Sequence, residues 1–249
     1  MAKEKLRLDV LMKMKGLVSS RAKGQALIMA GRVLVDGNVV TKSGHPVLPD
    51  QQIEIKQDLC PFVGRGGLKL QKALEFFDLD VISRVCMDVG ASTGGFTDCL
   101  LQHGARLVYA IDVGYGQLDW RLRNRPDIIN IEKTNIRHVT KDIFKEVPDL
   151  ATVDTSFISL RIVIPKVKDL LRDKADIIAL IKPQFEAGRK RVGKGGIIRD
   201  PSVHEDILRE LEQFFTEIVG LACQGIIPSP IEGAKGNKEF LIHLKKDLK

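Results

Sequence analysis

Residues 85–97 read VCMDVGASTGGFT, and this stretch decides the fold of the chain. Val85–Val89 is an apolar run interrupted by one acid, which predicts a buried strand. The turn Gly90–Gly95 follows, and Phe96–His103 then shows a helical pattern. Glycines let the backbone approach a ligand closely, and the first N–H groups of a helix are free to bind it. The stretch therefore predicts a ligand-binding unit of strand, turn and helix.

Residues 66–249 repeat this alternation of strand and helix. The predicted strands are Leu107–Val113, Asp127–Glu132, Leu150–Val153, Ile177–Ile181, Ala222–Pro228 and Phe240–Leu244. The predicted helices are Lys69–Phe77, Arg161–Arg172 and Ser202–Val219. Such alternation is typical of an α/β domain with a mostly parallel, Rossmann-like sheet covered on both faces.

Residues 1–58 have a different pattern, and we expect a linker at 59–65 to join them to the α/β domain. The predicted elements are a helix over residues 6–16, a helix from a cap at Ser19 or Ser20 to Gly31, a hairpin at Val33–Val40 around Asp36-Gly37, and a strand at Gln52–Lys56. Asp-Gly suits a type I′ turn, because both central residues of that turn need positive φ. The pattern predicts a small α+β domain.

The formal net charge of the chain is +7, which favours an anionic partner, nucleic acid first. Residues 1–60 contain 10 Lys or Arg and 6 Asp or Glu, so this part alone carries +4. An ordinary solvated helical face would also explain these charges. The alternative is a phosphate-binding face made of Lys13, Lys15, Arg21, Lys23 and Arg32.

The order of helix, helix and hairpin, with Ser20-Arg21 opening the second helix and Gly31-Arg32-Val33 closing it, supports the second interpretation. It resembles the alpha-L RNA-binding domain of the ribosomal-protein S-four type. The resemblance covers about 50 residues and implies binding of structured RNA.

Three ligands are candidates for the glycine turn. A phosphate-binding P-loop needs a lysine where this chain has Phe96, and a dinucleotide fingerprint needs a glycine where it has Ser92. The pattern that fits is D-x-G-x-x-x-G-G, which resembles the first motif of S-adenosylmethionine-dependent methyltransferases. A turn that only connects two elements is the alternative.

Asp112 provides a second indication of a nucleoside ligand. It follows the strand after the glycine turn, 22 residues beyond Gly90, where a carboxylate can accept both hydroxyls of a ribose. The candidate cofactor-binding residues are Asp88, Gly90, Ala91, Ser92, Thr93, Gly94, Gly95, Phe96, Thr97, Asp112, Asn135 and Asp154.

Four ionisable residues are candidates for catalysis. Asp154 and Lys182 directly follow predicted strands, and parallel strands present ligands at their C-terminal ends. Glu239 precedes the last predicted strand, and Lys69 lies in the first helix of the domain. Surface ion pairs are the alternative for any one of these residues.

The set resembles the Lys-Asp-Lys-Glu tetrad of FtsJ-type RNA 2′-O-methyltransferases, and the whole chain resembles the TlyA family. The supporting segments are Gly64–Leu70, Asp154–Leu160, Lys182–Glu186 and Gly236–Glu239. Gly64 stands where serine is expected. The resemblance implies an antiparallel last strand, S-adenosyl-L-methionine as cofactor, and methyl transfer to a ribose 2′-hydroxyl of ribosomal RNA, with cytidine as the nucleoside.

The chemistry explains why these residue types are needed. A ribose hydroxyl must lose its proton as it receives the methyl group, and a lysine accepts that proton only in its neutral form. Lys182 is the candidate base, and Lys69 supplies a second positive charge that favours neutral Lys182 and can hold the target phosphate. Asp154 and Glu239 can orient the lysines and the hydroxyl.

A basic, glycine-rich loop over Gly188–Arg199 follows the Lys182 strand, and we expect it to overhang the site as a mobile flap that grips RNA. A solvated surface loop is the alternative. Together with Arg65, the candidate RNA contacts here are Arg189, Lys190 and Arg191.

Other function classes have less support. The four cysteines show neither C-x-x-C spacing nor a metal-ligand pattern, so we expect reduced thiols and no metal site. No signal core or membrane-length apolar run is present, which favours a cytoplasmic protein. A membrane-active hemolysin, implied by a label within the family, and a non-catalytic ribosome-assembly factor stay open as alternatives.

Overall fold

The computed structural model describes residues 5–29, 31–55, 60–193 and 195–247. Its contacts divide the chain into two units, the first ending at Leu59 and the second beginning at Cys60. Each unit buries its own set of apolar side chains.

The first unit contains two short helices and two small antiparallel sheets. Its elements are β1 (Leu6–Arg7), α1 (Leu8–Met14), α2 (Arg21–Met29), β2 (Val33–Val35), β3 (Asn38–Val40), β4 (Pro46–Val47) and β5 (Ile53–Ile55). β1 pairs with β4, and the other sheet has the order β3-β2-β5. The hairpin turn has positive φ at Asp36 (49°) and Gly37 (78°), as a type I′ turn requires.

The start of the first helix differs from the prediction. Leu6, expected to open that helix, lies in β1 because its backbone pairs with Val47 of β4. β4 was not predicted, since a two-residue strand has no periodicity to detect. The helix begins at Leu8, whose buried side chain packs with Met12, Ile28 and Val33.

Asp9 is fully buried in this unit and joins the two helices. It accepts hydrogen bonds from Arg7, Arg21 and Gln25, the last two from α2. The Arg7 guanidinium, with help from Gln25 and Arg21, holds the pKa of this carboxyl below its usual range despite burial. Arg21 therefore has a structural task in addition to any contact with RNA.

The second unit is built on one seven-stranded sheet. Its strands are β6 (Val85–Val89), β7 (Leu107–Ile111), β8 (Ile128–Ile131), β9 (Leu150–Val153), β10 (Ala175–Ile181), β11 (Ala222–Pro228) and β12 (Phe240–Lys246). The order is β11-β12-β10-β9-β6-β7-β8, and β12 runs antiparallel to its neighbours β10 and β11. The predicted α/β class, with a mostly parallel sheet and an antiparallel last strand, is confirmed.

Helices cover the sheet, as the complete burial of β6, β9 and β10 requires. They are α3 (Gly66–Phe76), α4 (Gly95–Gln102), α5 (Trp120–Arg123), α6 (Leu160–Leu170), α7 (Pro183–Glu186), α8 (Gly188–Arg191) and α9 (Pro201–Gln213). The helix predicted over Ser202–Val219 is α9 followed by a π-helical turn at Phe214–Ile218. The four-residue helices were not predicted, because one turn is too short for a hydrophobic period.

Residues 60–65, predicted as part of a linker, pack within the second unit. Phe62 is buried and fills the space beside Gly67, where a Cβ atom would overlap its ring. The Val63 N–H donates to Asp98 of α4 at 2.8 Å. This segment therefore positions the start of α3. Among the described residues, no helix combines the length and apolar character needed to cross a membrane.

Candidate active site

The glycine turn brings the end of β6 against the end of β9. Gly90 has φ 84°, and a Cβ atom there would overlap the backbone of Asp154. Gly94 has φ 94°, and its Cβ position is occupied by the side chains of Leu118 and Leu122. Glycine is needed at both positions, because a side chain would push the turn away from its neighbours.

Asp88 supports this turn from beneath. It is fully buried, and its two oxygens accept from the hydroxyls of Thr97 (2.6 Å) and Thr152 (3.0 Å). Burial is the main cause that raises the pKa of Asp88 to about 6. Neither Asp88 nor Thr97 lines a cavity at the site, so the structure gives them a supporting position and no surface for a ligand.

A cavity of 590 Å³, the Asp112 cleft, opens on one side of the turn. Asp112 accepts from the N–H groups of Ser92 (2.8 Å) and Gly114 (2.6 Å), one at each oxygen. A carboxylate oxygen has two acceptor sites, so both oxygens can still accept from a ligand. Asn135 lines the same cleft and uses its amide oxygen to cap the next helical turn at Arg137.

This cleft fits the nucleoside part of the expected cofactor. The carboxylate of Asp112 suits the two hydroxyls of a ribose, and the apolar side chains of Ile111, Ile136 and Val163 suit a base.

A cavity of 600 Å³, the lysine cleft, lies on the other side of the turn and contains all four candidate catalytic residues. Lys182 Nζ is 2.6 Å from Asp154 Oδ1, and Lys69 Nζ is 2.5 Å from Glu239 Oε2. Lys69, Lys182 and Glu239 are all buried. Gly90 and Asp154 line both clefts, so the two clefts adjoin at these residues.

The sheet register explains how residues distant in sequence meet. Ile181 of β10 pairs with Phe240 of β12, so Lys182 and Glu239 leave neighbouring antiparallel strands at the same rim. Asp154 follows the parallel strand β9 and donates its N–H to Val89 at 2.9 Å. Lys69 reaches this rim because α3 begins beside the glycine turn, where Gly66 packs on Phe96.

Three further residues of the lysine cleft were not predicted from the sequence. Ser156 accepts a hydrogen bond from Lys182 Nζ at 2.9 Å. Phe157 is 91% exposed, has φ 64°, and its ring lies 5.1 Å from that of Phe185. Gly233 packs so closely on Glu239 that a Cβ atom would overlap the carboxylate. Ser156 and Phe157 lie in the segment Asp154–Leu160 that carries part of the family resemblance, whereas Gly233 lies outside all such segments. Side-chain direction and loop conformation have no signature in the sequence.

The predicted RNA-binding residues occupy different environments. Arg65 is exposed and lines the lysine cleft, and Lys13, Lys15 and Lys23 are exposed on the first unit. Arg32 is half-buried. Lys15 and Arg21 also make contacts within their unit, with the Gln51 carbonyl and with Asp9.

The predicted flap is partly helical and tied to α9. The guanidinium of Arg191, in α8, forms a bidentate ion pair with the Glu210 carboxylate, with N···O distances of 2.9 and 3.1 Å. This pair competes with the RNA contact predicted for Arg191. The side chains of Arg189 and Lys190 lie outside the described part of the structure.

The chain matches two protein families. Residues 62–246 match the FtsJ-like methyltransferases, and residues 6–53 match the S4 domain. These matches confirm the predicted methyltransferase with an S-four-type domain in front, and they support S-adenosylmethionine as its cofactor.

Similar proteins extend over nearly the whole chain. YqxC of Bacillus subtilis, whose name refers to rRNA methyltransferase, is 47% identical over 98% of this chain and 87% of its own. The 16S/23S rRNA (cytidine-2′-O)-methyltransferase TlyA of Mycobacterium tuberculosis is 40% identical over 96% of this chain and 89% of its own.

A solved structure from Streptococcus thermophilus that carries a hemolysin name is 42% identical and has a TM-score of 0.77, covering 99% of this chain and 90% of that one. The sheet order and the two lysine–carboxylate pairs agree with the family match over residues 62–246. Together with these relatives, the match shows that the chain belongs to the FtsJ-like methyltransferase family.

Proposed function

We propose that this protein methylates a ribose 2′-hydroxyl of ribosomal RNA, on a cytidine, with S-adenosylmethionine as donor. The observation that carries the proposal is the lysine cleft, where two lysine–carboxylate pairs line one cavity that adjoins the Asp112 cleft. A nucleoside cofactor in one cleft and an RNA ribose in the other would meet at Gly90 and Asp154.

The residues of the lysine cleft divide the work. Lys182, in its neutral form, accepts the proton of the 2′-hydroxyl, and Asp154 and Ser156 fix the direction of its Nζ atom. Lys69 and the exposed Arg65 offer positive charge to the target phosphate, and Glu239 holds Lys69 in place. S-adenosylmethionine supplies an electrophilic methyl group.

Positioning accounts for much of the expected rate. Transfer of a methyl group to oxygen requires the acceptor in line with the bond that breaks, and a well-oriented pair of reactants gains several orders of magnitude in rate. Both clefts share the walls at Gly90 and Asp154, so the backbone of the turn sets the separation of the two reactants. Lys182 and Lys69 are themselves largely withdrawn from solvent.

The substrate class rests on the first unit and on the relatives. The S4 domain match supports RNA as partner, and the name of the TlyA relative supports rRNA cytidine as target. An enzyme acting on ribosomal subunits would work in the cytoplasm.

The alternatives are less well supported. The hemolysin name of a relative would call for a surface that enters a membrane, whereas the site found in this chain is a cleft that holds two lysine–carboxylate pairs. A non-catalytic assembly factor would not need Lys69, Asp154, Lys182 and Glu239 in one cavity.

Methyl transfer from labelled S-adenosylmethionine to isolated ribosomal subunits tests the proposal. We expect the wild-type protein to label a ribose and Lys182→Ala to lose at least about a hundredfold of that rate. Lys72→Ala, an exposed lysine on the same helix as Lys69, is the control and should keep the full rate. Equal labelling by the wild type and Lys182→Ala would contradict the assignment of the base. No labelling by the wild type, on subunits that lack the modification, would contradict the function.

A further inference from the structure

Asn237 joins two segments that border the lysine cleft. It is buried, and its side-chain amide donates to the Gly196 carbonyl at 3.1 Å. Its side-chain oxygen accepts from the Ile198 N–H at 3.3 Å. Both ends of the amide therefore hold the backbone of the glycine-rich loop after α8.

The backbone of Asn237 belongs to the turn that packs on Glu239. The Asn237 carbonyl accepts from the Gly233 N–H at 2.9 Å, and Gly233 lies directly against the Glu239 carboxylate. The Glu239 carbonyl in turn accepts from the Ser229 N–H at 2.9 Å. A shift of Asn237 would therefore move the wall that holds Glu239 and, through Glu239, Lys69.

The glycine-rich loop is itself fixed at both ends. Arg191 anchors its start to Glu210, and the buried side chain of Ile198 anchors its end in the core. Lys235 adds a further bond, from Nζ to the Gly195 carbonyl at 3.2 Å. The loop follows α8, and the preceding helix α7 begins directly after Lys182. The loop thus connects the segment that follows Lys182 with the turn that packs on Glu239, the partner of Lys69.

We propose that Asn237 is a positioning residue that couples this loop to Glu239, so that an RNA backbone held by the loop also sets the Lys69–Glu239 pair. The coupling rests on the proposed function, whereas the tie between Asn237 and the loop does not. An amide suits the position, because it donates at Gly196 and accepts at Ile198. Aspartate can only accept, and alanine leaves both backbone groups without this partner.

The tie can be tested on the full chain without RNA. Trypsin cleavage within residues 189–199 should be about tenfold faster in Asn237→Ala than in the wild type, because two hydrogen bonds of the Asn237 side chain hold the loop. Lys238→Ala, a neighbouring exposed residue, should be cleaved at the wild-type rate. Equal cleavage of Asn237→Ala and the wild type would overturn the inference.

Kinetics test the coupling. Asn237→Ala should lower kcat about tenfold and raise KM for RNA, while the Kd of S-adenosylmethionine stays unchanged, because Asn237 does not line the Asp112 cleft. Asn237→Asp keeps the bond to Ile198 and should recover part of kcat. If Asn237→Ala proves too unstable to assay, Lys235→Met removes the adjacent tie and should show the same changes more weakly.

The outcomes separate this inference from the proposed function. An active wild type with an equally active, rapidly cleaved Asn237→Ala would overturn the coupling alone. An inactive wild type would contradict both the proposed function and the coupling. The cleavage rates would still decide whether Asn237 holds the loop in place.

Discussion

The two lysines of the active site have different surroundings. Lys182 has a carboxylate and a hydroxyl as partners, whereas Lys69 has the Glu239 carboxylate. The two carboxylates also differ, since Asp154 lines both clefts and Glu239 only the lysine cleft of the two. Removing one carboxylate should therefore have consequences that removing the other does not.

Asp154→Asn should lower the transfer rate about a hundredfold and also weaken binding of S-adenosylmethionine. Glu239→Gln should lower the rate to a similar extent and leave cofactor binding as it is. Single-turnover transfer and calorimetric titration with S-adenosylmethionine would measure the two effects. Unchanged cofactor affinity in Asp154→Asn would show that the shared wall does not contact the cofactor.

Phe157 is a second residue whose conformation points to function. A phenylalanine at φ 64° is strained, and at 91% exposure it gains little from burial. Stacking of a base on such a ring would compensate, at about 1–3 kcal/mol per base. We therefore expect the Phe157 ring to stack on a base of the RNA substrate.

Phe157→Gly should therefore raise KM for RNA by about tenfold or more and leave the protein as stable or slightly more stable. Glycine adopts the left-handed conformation without strain, which offsets its greater entropy in the unfolded chain. Phe76→Ala, an exposed phenylalanine on α3, is the matched control and should leave KM unchanged. Thermal unfolding and steady-state kinetics give the two readouts, and a large loss of stability in Phe157→Gly would argue for a packing role.

At the scale of elements, Asp88 connects a strand, a helix and a second strand. It lies on β6 and accepts from Thr97 of α4 and Thr152 of β9. Burial, the largest cause, and the nearby charge of Asp154 raise its pKa from 3.8 to about 6. Between these two pH values the folded protein keeps the Asp88 proton, whereas the unfolded chain has lost it. The stabilisation that comes from protonated Asp88 is therefore lost as the pH rises from about 3.8 through about 6.

Asp88→Asn should remove this pH dependence and make the protein more stable at pH 7 by up to about 3 kcal/mol. The amide can keep both hydrogen bonds, because each threonine hydroxyl can donate or accept. Denaturant unfolding of both proteins across this pH range would measure the difference. The prediction would be contradicted if the gain in unfolding free energy of Asp88→Asn over the wild type were smaller at pH 7 than at pH 4.

The site residues that stand at the ends of strands could be predicted from the sequence. The position of Gly90, Asp112, Asp154 and Lys182 followed from apolar runs that stop at a turn, and the structure places all four at one rim. Lys69 could not be placed in this way, since its contact with Glu239 spans 170 residues and depends on how α3 docks. Ser156, Phe157 and Gly233 depend on loop conformation, for which apolar periodicity gives no signal.

At the scale of the molecule, we expect the first unit to contribute to RNA binding and the second unit to carry out methyl transfer. Residues 1–60 carry +4 of the net charge of +7, while all four candidate catalytic residues lie beyond Cys60. Lys13 and Lys23 are exposed, whereas Arg21 is committed to the buried Asp9. Charges on the first unit should thus affect RNA affinity without affecting the chemical step.

The double variant Lys13→Gln with Lys23→Gln should raise KM for RNA and leave kcat at saturating RNA unchanged. Its KM should also depend less steeply on salt, because every phosphate that the protein no longer neutralises lowers the slope of log affinity against log salt by roughly 0.7–0.9. Arg21→Gln is an instructive comparison, since it should lower the melting temperature by leaving Asp9 with fewer partners. A salt slope identical to that of the wild type would mean that Lys13 and Lys23 belong to a solvated helical face and that RNA is held elsewhere on the protein.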